Sequence, residues 1–255
     1  MIKKLDTALS VNYTSNSQKI RVMSETWTEN NIFCPNCGSV LESYKNNRPV
    51  ADFYCKKCYE DFELKSKNGK IGKKVGAGSY QKMIERLNSS ENPNFFFLSY
   101  LKQDYSINDF FVVPKHFFVE GIIEKRKALS ENAKRAGWVG SNILFYKIPN
   151  SGKIYYIENG CSFSKNDVLK KWKHTDFLKK INKNSLKGWI LDVMNCIESL
   201  DKEDFELDEI YAFVENLEIL HPENKNIKAK IRQQLQFLRD KKYLTFLGNG
   251  KYSLN

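Results

Sequence analysis

The chain reads as an α/β domain with a mixed sheet and an embedded four-cysteine zinc site, followed by a C-terminal winged helix-turn-helix domain. Three observations predict this. Strand, helix, strand and strand patterns succeed one another between residues 50 and 114. Two C-x-x-C pairs, Cys34–Cys37 and Cys55–Cys58, are separated by seventeen residues. Three helical patterns and a β-hairpin close the chain.

With 255 residues, the chain can form one large domain or two smaller ones. Apolar content of 41% and aromatic content of 13% argue against disorder. The formal charge of +11 and pI near 9.2 favour a polyanionic partner. Charge alone does not separate nucleic acid from an anionic membrane, but no apolar run reaches the roughly 20 residues of a membrane helix. The N-terminus lacks the apolar stretch of a signal peptide. A cytoplasmic protein with no membrane partner is expected. In that compartment paired C-x-x-C motifs suit metal better than disulfides. The lone Cys161 and Cys196 read as buried structural thiols, and His116, His174 and His221 show no ligand pairing.

Taken in order, Ser15 and Gln18 fit a capping box, with Ile20, Met23 and Trp27 following at helical spacing, so a helix is expected over 16–29. Its Lys19 and Arg21 read as a solvated face. Residues 32–66 read as short strands around the cysteines: Phe53 and Cys55 alternate with Asp52 and Tyr54, and Phe62 and Leu64 with Glu63 and Lys65. The glycine- and lysine-rich segment 67–78 reads as a mobile basic loop. A helix over 79–88 precedes two apolar runs, 94–100 and 109–114, that read as buried strands. Segments 121–127 and 133–138 read as basic loops or short helices, and 143–146 and 153–157 as further strands. A composition shift near residue 182 divides domain 1–182 from domain 183–255. In the second, Trp189, Val193, Cys196, Ile197 and Leu200 line one helix, 205–213 opens another, 226–240 forms a third, and 243–247 with 251–254 forms the wing.

Glu63 and Lys65 are two apart on a strand, so they share a face. Asp52 joins them if its strand pairs with theirs. Two carboxylates suit a hard cation such as magnesium, and metal with lysine can activate water and stabilise charge at a phosphoryl centre. An acid followed by E-x-K is the signature of the PD-(D/E)XK nucleases, here with Pro49 before Asp52. Alone it is weak, since E-x-K is frequent by chance. Cys34, Cys37, Cys55 and Cys58 give a recognised four-thiolate spacing, and Gly38 suits the turn of a zinc knuckle. Four thiolates leave no open position, so the zinc is structural and braces the strand carrying Asp52. On the last helix Ala229, Arg232, Gln233 and Gln236 face away from the apolar stripe and can read base edges, while Lys228, with Lys230, Arg239 and the wing's Lys251, can meet phosphates. Trp138, after Arg135, either stacks on DNA or belongs to the core.

These runs carry a likeness. Residues 15–19, 34–38, 46–55, 62–67, 92–98, 135–138 and 230–236 together resemble the DpnI-type methyl-directed restriction endonucleases, nearly end to end. The resemblance implies a PD-(D/E)XK catalytic domain and a winged-helix domain that both read the methylated site. It implies type II cleavage of duplex DNA at G-A-T-C bearing N6-methyladenine. Asp52 and Glu63 would bind magnesium, Lys65 would assist the attacking water, the four cysteines would hold zinc, and Trp138 would occupy the position of a tryptophan that contacts DNA. Arg135, close before it in sequence, is expected at the DNA as well. A non-catalytic, zinc-containing winged-helix regulator would explain the charge, the cysteines and the last helix, but it leaves Asp52, Glu63 and Lys65 as coincidence. No dimer face is evident, so a monomer is expected.

Overall fold

Period-two patterning and long aromatic runs dictate a sheet buried on both faces. The computed structural model describes residues 2–44, 51–89, 92–181 and 184–255. Pro49, the run 46–50 and the expected domain boundary after residue 182 lie outside the described residues. The chain divides into two compact units, Met1–Phe145 with Ser151–Lys173, and Tyr146–Asn150 with His174–Asn255.

The first unit runs α1 (Asn16–Asn31), β1 (Glu42–Ser43), β2 (Phe53–Tyr54), β3 (Asp61–Asn68), β4 (Lys74–Ser79), α2 (Tyr80–Leu87), β5 (Asn94–Tyr100), β6 (Ile107–Val113), β7 (Ile123–Ala128), β8 (Val139–Leu144), β9 (Ile154–Glu158), β10 (Cys161–Ser162) and α3 (Lys165–His174). Its main sheet has the order β1-β2-β3-β5-β6-β9-β10. Only β3 and β5 are parallel, and the other pairs are antiparallel, so the sheet is mixed. Every residue of β5 is buried. Phe96 packs on the α1 side with Phe62, the rings stacked at 4.6 Å, and with Phe110 at 5.2 Å. On the opposite face Phe95 meets Phe118 at 4.7 Å and Phe97 meets Phe145 at 4.7 Å. Alternate residues of one strand thus fill two aromatic layers. Helix α1 buries Met23 and Trp27 against the first layer. Its Ser15 occupies the N-cap but makes no side-chain cap bond; its hydroxyl lies 2.8 Å from that of Ser17 instead, so the expected capping box does not form.

Three expectations change here. Segment 67–78 is largely strand: β3 runs on to Asn68, and β4 pairs with β8. Main-chain pairing needs no side chains, and glycines are tolerated in β4 because it is an edge of the small sheet β4-β8-β7. Residues 123–128 form the other edge rather than a loop; their charged side chains face water while the backbone pairs with β8. Cys161 is exposed, whereas Cys196 is buried as expected.

The second unit contains α4 (Asn184–Ser199), β11 (Asp204–Glu206), α5 (Leu207–Tyr211), α6 (Val214–Leu220), α7 (Ile227–Asp240), β12 (Leu244–Gly248) and β13 (Lys251–Leu254). The expected second helix is split. Residues 204–206 pair with β13 as a third wing strand, and the helical part divides at Ala212–Phe213. Ile227, Ile231, Leu235 and Leu238 are buried along one side of α7, as their spacing requires.

Phe96 is fully buried and stacks within the main core. Phe96→Ala is expected to lower unfolding stability by about 3–5 kcal/mol, read as a reduced midpoint in chemical denaturation.

Candidate catalytic cluster and zinc centre

Strands β2 and β3 pair with the register Phe53↔Phe62 and Tyr54↔Asp61. Asp52 immediately precedes β2. The Asp52 amide donates to Phe62 O at 2.9 Å, and the Asp52 carboxylate accepts the Leu64 amide at 2.7 Å. Burial pushes the Asp52 carboxyl above its ordinary value. The Leu64 amide opposes that rise, Glu63 adds to it, and Lys65 and Arg21 oppose it.

Glu63 and Lys65 project from the face of β3 registered with Phe95 and Phe97 of β5. Lys65 Nζ contacts Glu63 Oε1. The other carboxylate oxygen, Oε2, accepts Arg86 Nη1 at 2.9 Å. Arg86 comes from the last turn of α2. From α1, Arg21 and Glu25 form an ion pair at 2.7 Å, and both feel the charge of Asp52. They line a cleft of about 410 Å³ whose β3 wall is Leu64 and Ser66. Asp52 accepts the Leu64 amide and feels the charges of Glu63 and Lys65, which contact one another, so the three come together. Arg86 and Glu25 were not singled out by sequence, because a basic residue near a helix end and an i,i+4 pair look the same on any solvated helix.

The four Sγ atoms of Cys34, Cys37, Cys55 and Cys58 lie within 4.8 Å of one another. Cys34 and Cys58 are 3.4 Å apart, as are Cys37 and Cys55. Thiolates bound tetrahedrally at ~2.3 Å would stand ~3.8 Å apart, so the cluster fits one zinc ion after a small expansion. Each pair sits in a tight turn: Gly38 N donates to Cys34 O and Tyr59 N to Cys55 O, both at 2.8 Å. Gly38 has φ +74° and Tyr59, at the matching position, φ +59°. The second turn thus forces a side-chain-bearing residue into the left-handed region, which glycine spacing could not reveal. Burial pushes the Cys34 thiol up. At Cys37 partial burial is outweighed by hydrogen bonds from Ser39, which bring the thiol down to about 7.

The knuckles are tied to the sheet. Tyr156 of β9 donates to Phe33 O at 2.7 Å. Buried Asn94 of β5 donates to Glu60 Oε2 at 3.0 Å and to Asp61 O at 2.9 Å. Moving the cysteine frame would move β2 and β3 with it.

Residues 1–181 match the family described as DpnI, the Dam-replacing family, and residues 185–254 match its Dam-replacing HTH domain. The chain belongs to the DpnI family. Membership supports a methylation-dependent restriction endonuclease, and the HTH domain implies DNA binding. The cysteine cluster is compatible with the structural zinc expected of this DpnI-family chain. Among the described residues no helix is long and apolar enough to cross a membrane.

The DpnI-family HTH unit exposes Lys228, Ala229, Arg232, Gln233 and Gln236 along α7. Arg232 donates to the Tyr211 hydroxyl at 2.8 Å, Lys228 lies over the Tyr211 ring, and Gln233 accepts Lys230 Nζ at 2.8 Å. Lys251, on β13, pairs with Glu206 at 3.3 Å. In the first unit, Arg135 lies over the Trp138 ring at 4.7 Å. A Cβ on Gly140 would fall 2.8 Å from that indole, so the half-buried ring rests on bare backbone.

Cys37→Ser is expected to cut bound zinc from about one ion per chain to near none by atomic absorption, because three thiolates hold zinc far less tightly than four. The thermal midpoint should fall with it. A variant with wild-type zinc content would contradict the assignment.

Proposed function

We propose that this chain is a type II restriction endonuclease that cleaves duplex DNA at G-A-T-C when the adenine carries an N6-methyl group, by magnesium-assisted phosphodiester hydrolysis. One observation carries the catalytic part: the Asp52 carboxylate accepts the amide of Leu64, the residue between Glu63 and Lys65, and Lys65 contacts Glu63 from the same strand. That is the layout of a PD-(D/E)XK centre. Two mutually repelling carboxylates, partly withdrawn from water, suit a hard divalent cation.

In this reading Asp52 and Glu63 hold magnesium. The ion, when bound, supplies positive charge that polarises the phosphate and makes water more acidic. Lys65 orients the attacking water and donates to the charge that builds on the phosphoryl oxygens. The Leu64 amide keeps the Asp52 carboxylate from rotating away. Zinc on Cys34, Cys37, Cys55 and Cys58 stiffens the hairpin and takes no part in the chemistry.

Recognition is assigned to both halves, catalytic domain 1–182 and winged-helix domain 183–255. Arg232 offers donors to guanine, Gln233 and Gln236 suit adenine, and the Ala229 methyl suits a thymine methyl. Lys228 and Lys251 meet phosphates, and Arg135 with Trp138 contacts DNA from the catalytic domain. An N6-methyl group adds apolar surface in the major groove, so an apolar pocket selects it. The protein acts as a cytoplasmic monomer.

Incubation with magnesium and two plasmids, one adenine-methylated and one not, tests this reading. Fragments are expected from the methylated plasmid alone. Asp52→Ala and Lys65→Ala should each slow cutting by at least about 100-fold while a gel shift with methylated DNA persists. Either variant cutting at the wild-type rate would sink the mechanism.

A further inference from the structure

Arg86 reaches Glu63 from a separate element, α2. Its Nη1 is 2.9 Å from Glu63 Oε2, while Lys65 takes Oε1. Both oxygens of one proposed metal ligand are thus covered by cations. The side chains of Glu63 and Arg86 are only 17% and 28% exposed, so this is not a loose surface pair. The ordinary account is structural: a basic residue in the last turn of a short helix, favoured by the helix dipole and finding a carboxylate nearby. That account leaves a difficulty. A purely structural Arg86 would compete with the metal for Glu63 and weaken the site it supports.

We infer that Arg86 is a catalytic residue that binds the scissile phosphate, with Glu63 holding its guanidinium in place until metal and DNA arrive. The inference rests on the endonuclease reading above. Glu63 would hold an ion through the same carboxylate, and Arg86, anchored on α2, would remain beside it. Its planar fork matches two phosphoryl oxygens at once, which a lysine ammonium cannot do.

Charge balance points the same way. Asp52 and Glu63 together offset one divalent ion. Among the described residues Lys65 then leaves a single positive charge, and Arg21 with Glu25 adds none. A phosphoryl group under attack by hydroxide carries two negative charges. Arg86 brings the second compensating charge. It donates hydrogen bonds only, and no bond is made or broken at its nitrogens.

The test uses the full-length, zinc-loaded chain with Arg86→Ala and Arg86→Lys. Calcium binding without DNA, followed by calorimetry, should tighten several-fold in Arg86→Ala, because a competing cation has gone. Affinity for methylated DNA in calcium should stay within about threefold of wild type. Single-turnover cutting at saturating magnesium should fall by about 100-fold or more in Arg86→Ala and by about tenfold in Arg86→Lys, which keeps the charge and loses the fork. A positioning role alone would instead let high magnesium restore the wild-type rate, and that restoration would overturn the assignment. If melting shows that Arg86→Ala does not fold, Arg86→Lys decides: a wild-type rate there rejects the phosphate fork. A wild-type chain that fails to cut would bring down the endonuclease reading and this inference with it. A cutting wild type beside an equally fast Arg86→Ala would reject Arg86 alone.

Discussion

The antiparallel register of β2 on β3 is the constraint on which the first unit depends. Side chains on paired strands share a face only when their register is right, and a slip of one residue would send Glu63 and Lys65 to the opposite side. With Phe53 on Phe62, the aromatic rings go inward, and Asp52, just ahead of β2, accepts the amide of Leu64 between Glu63 and Lys65. The same choice that buries the phenylalanines assembles the acids. Because the hydrophobic term is by far the larger, packing sets the register and the acids follow.

A two-residue strand cannot hold its register by its own hydrogen bonds. The cysteine frame does it from both ends of the segment. Cys55 begins its turn one residue after β2, and Glu60 closes that turn one residue before β3. Asn94 then fastens Glu60 to the central strand, and Tyr156 fastens the first knuckle to β9. Zinc in such a frame shortens the flexible link between β2 and β3 into one rigid turn.

Much of this was legible in the sequence, and what was not has physical reasons. The buried runs of β5 and β6, the apolar stripe of α7 and the terminal hairpin announced themselves by period and length. Asp52, Glu63, Lys65 and the four cysteines could be named because their spacing is local. The edge strands β4 and β7 were missed because pairing is a property of the backbone, and their glycines and charges carry no core pattern. The third wing strand was missed for the same reason: Asp204 and Glu206 face water around a single buried Phe205. Arg86 stood out in no pattern, since its partner lies twenty-three residues away on another element.

The two acids are not alike in their surroundings. Glu63 is met by two cations and is electrostatically satisfied without metal. Asp52 is met by a backbone amide, and burial pushes its carboxyl up. An acid withdrawn from water with an amide for a partner is a cost that packing alone would have removed, since an apolar side chain of similar size would sit there more comfortably. The fold keeps it beside the Leu64 amide, between the elements that carry Glu63, Lys65 and Arg21. Glu63 is paired directly with two cations, whereas Asp52 feels Lys65 and Arg21 only through space. The backbone amide, rather than a cation, is therefore what holds the buried acid in place.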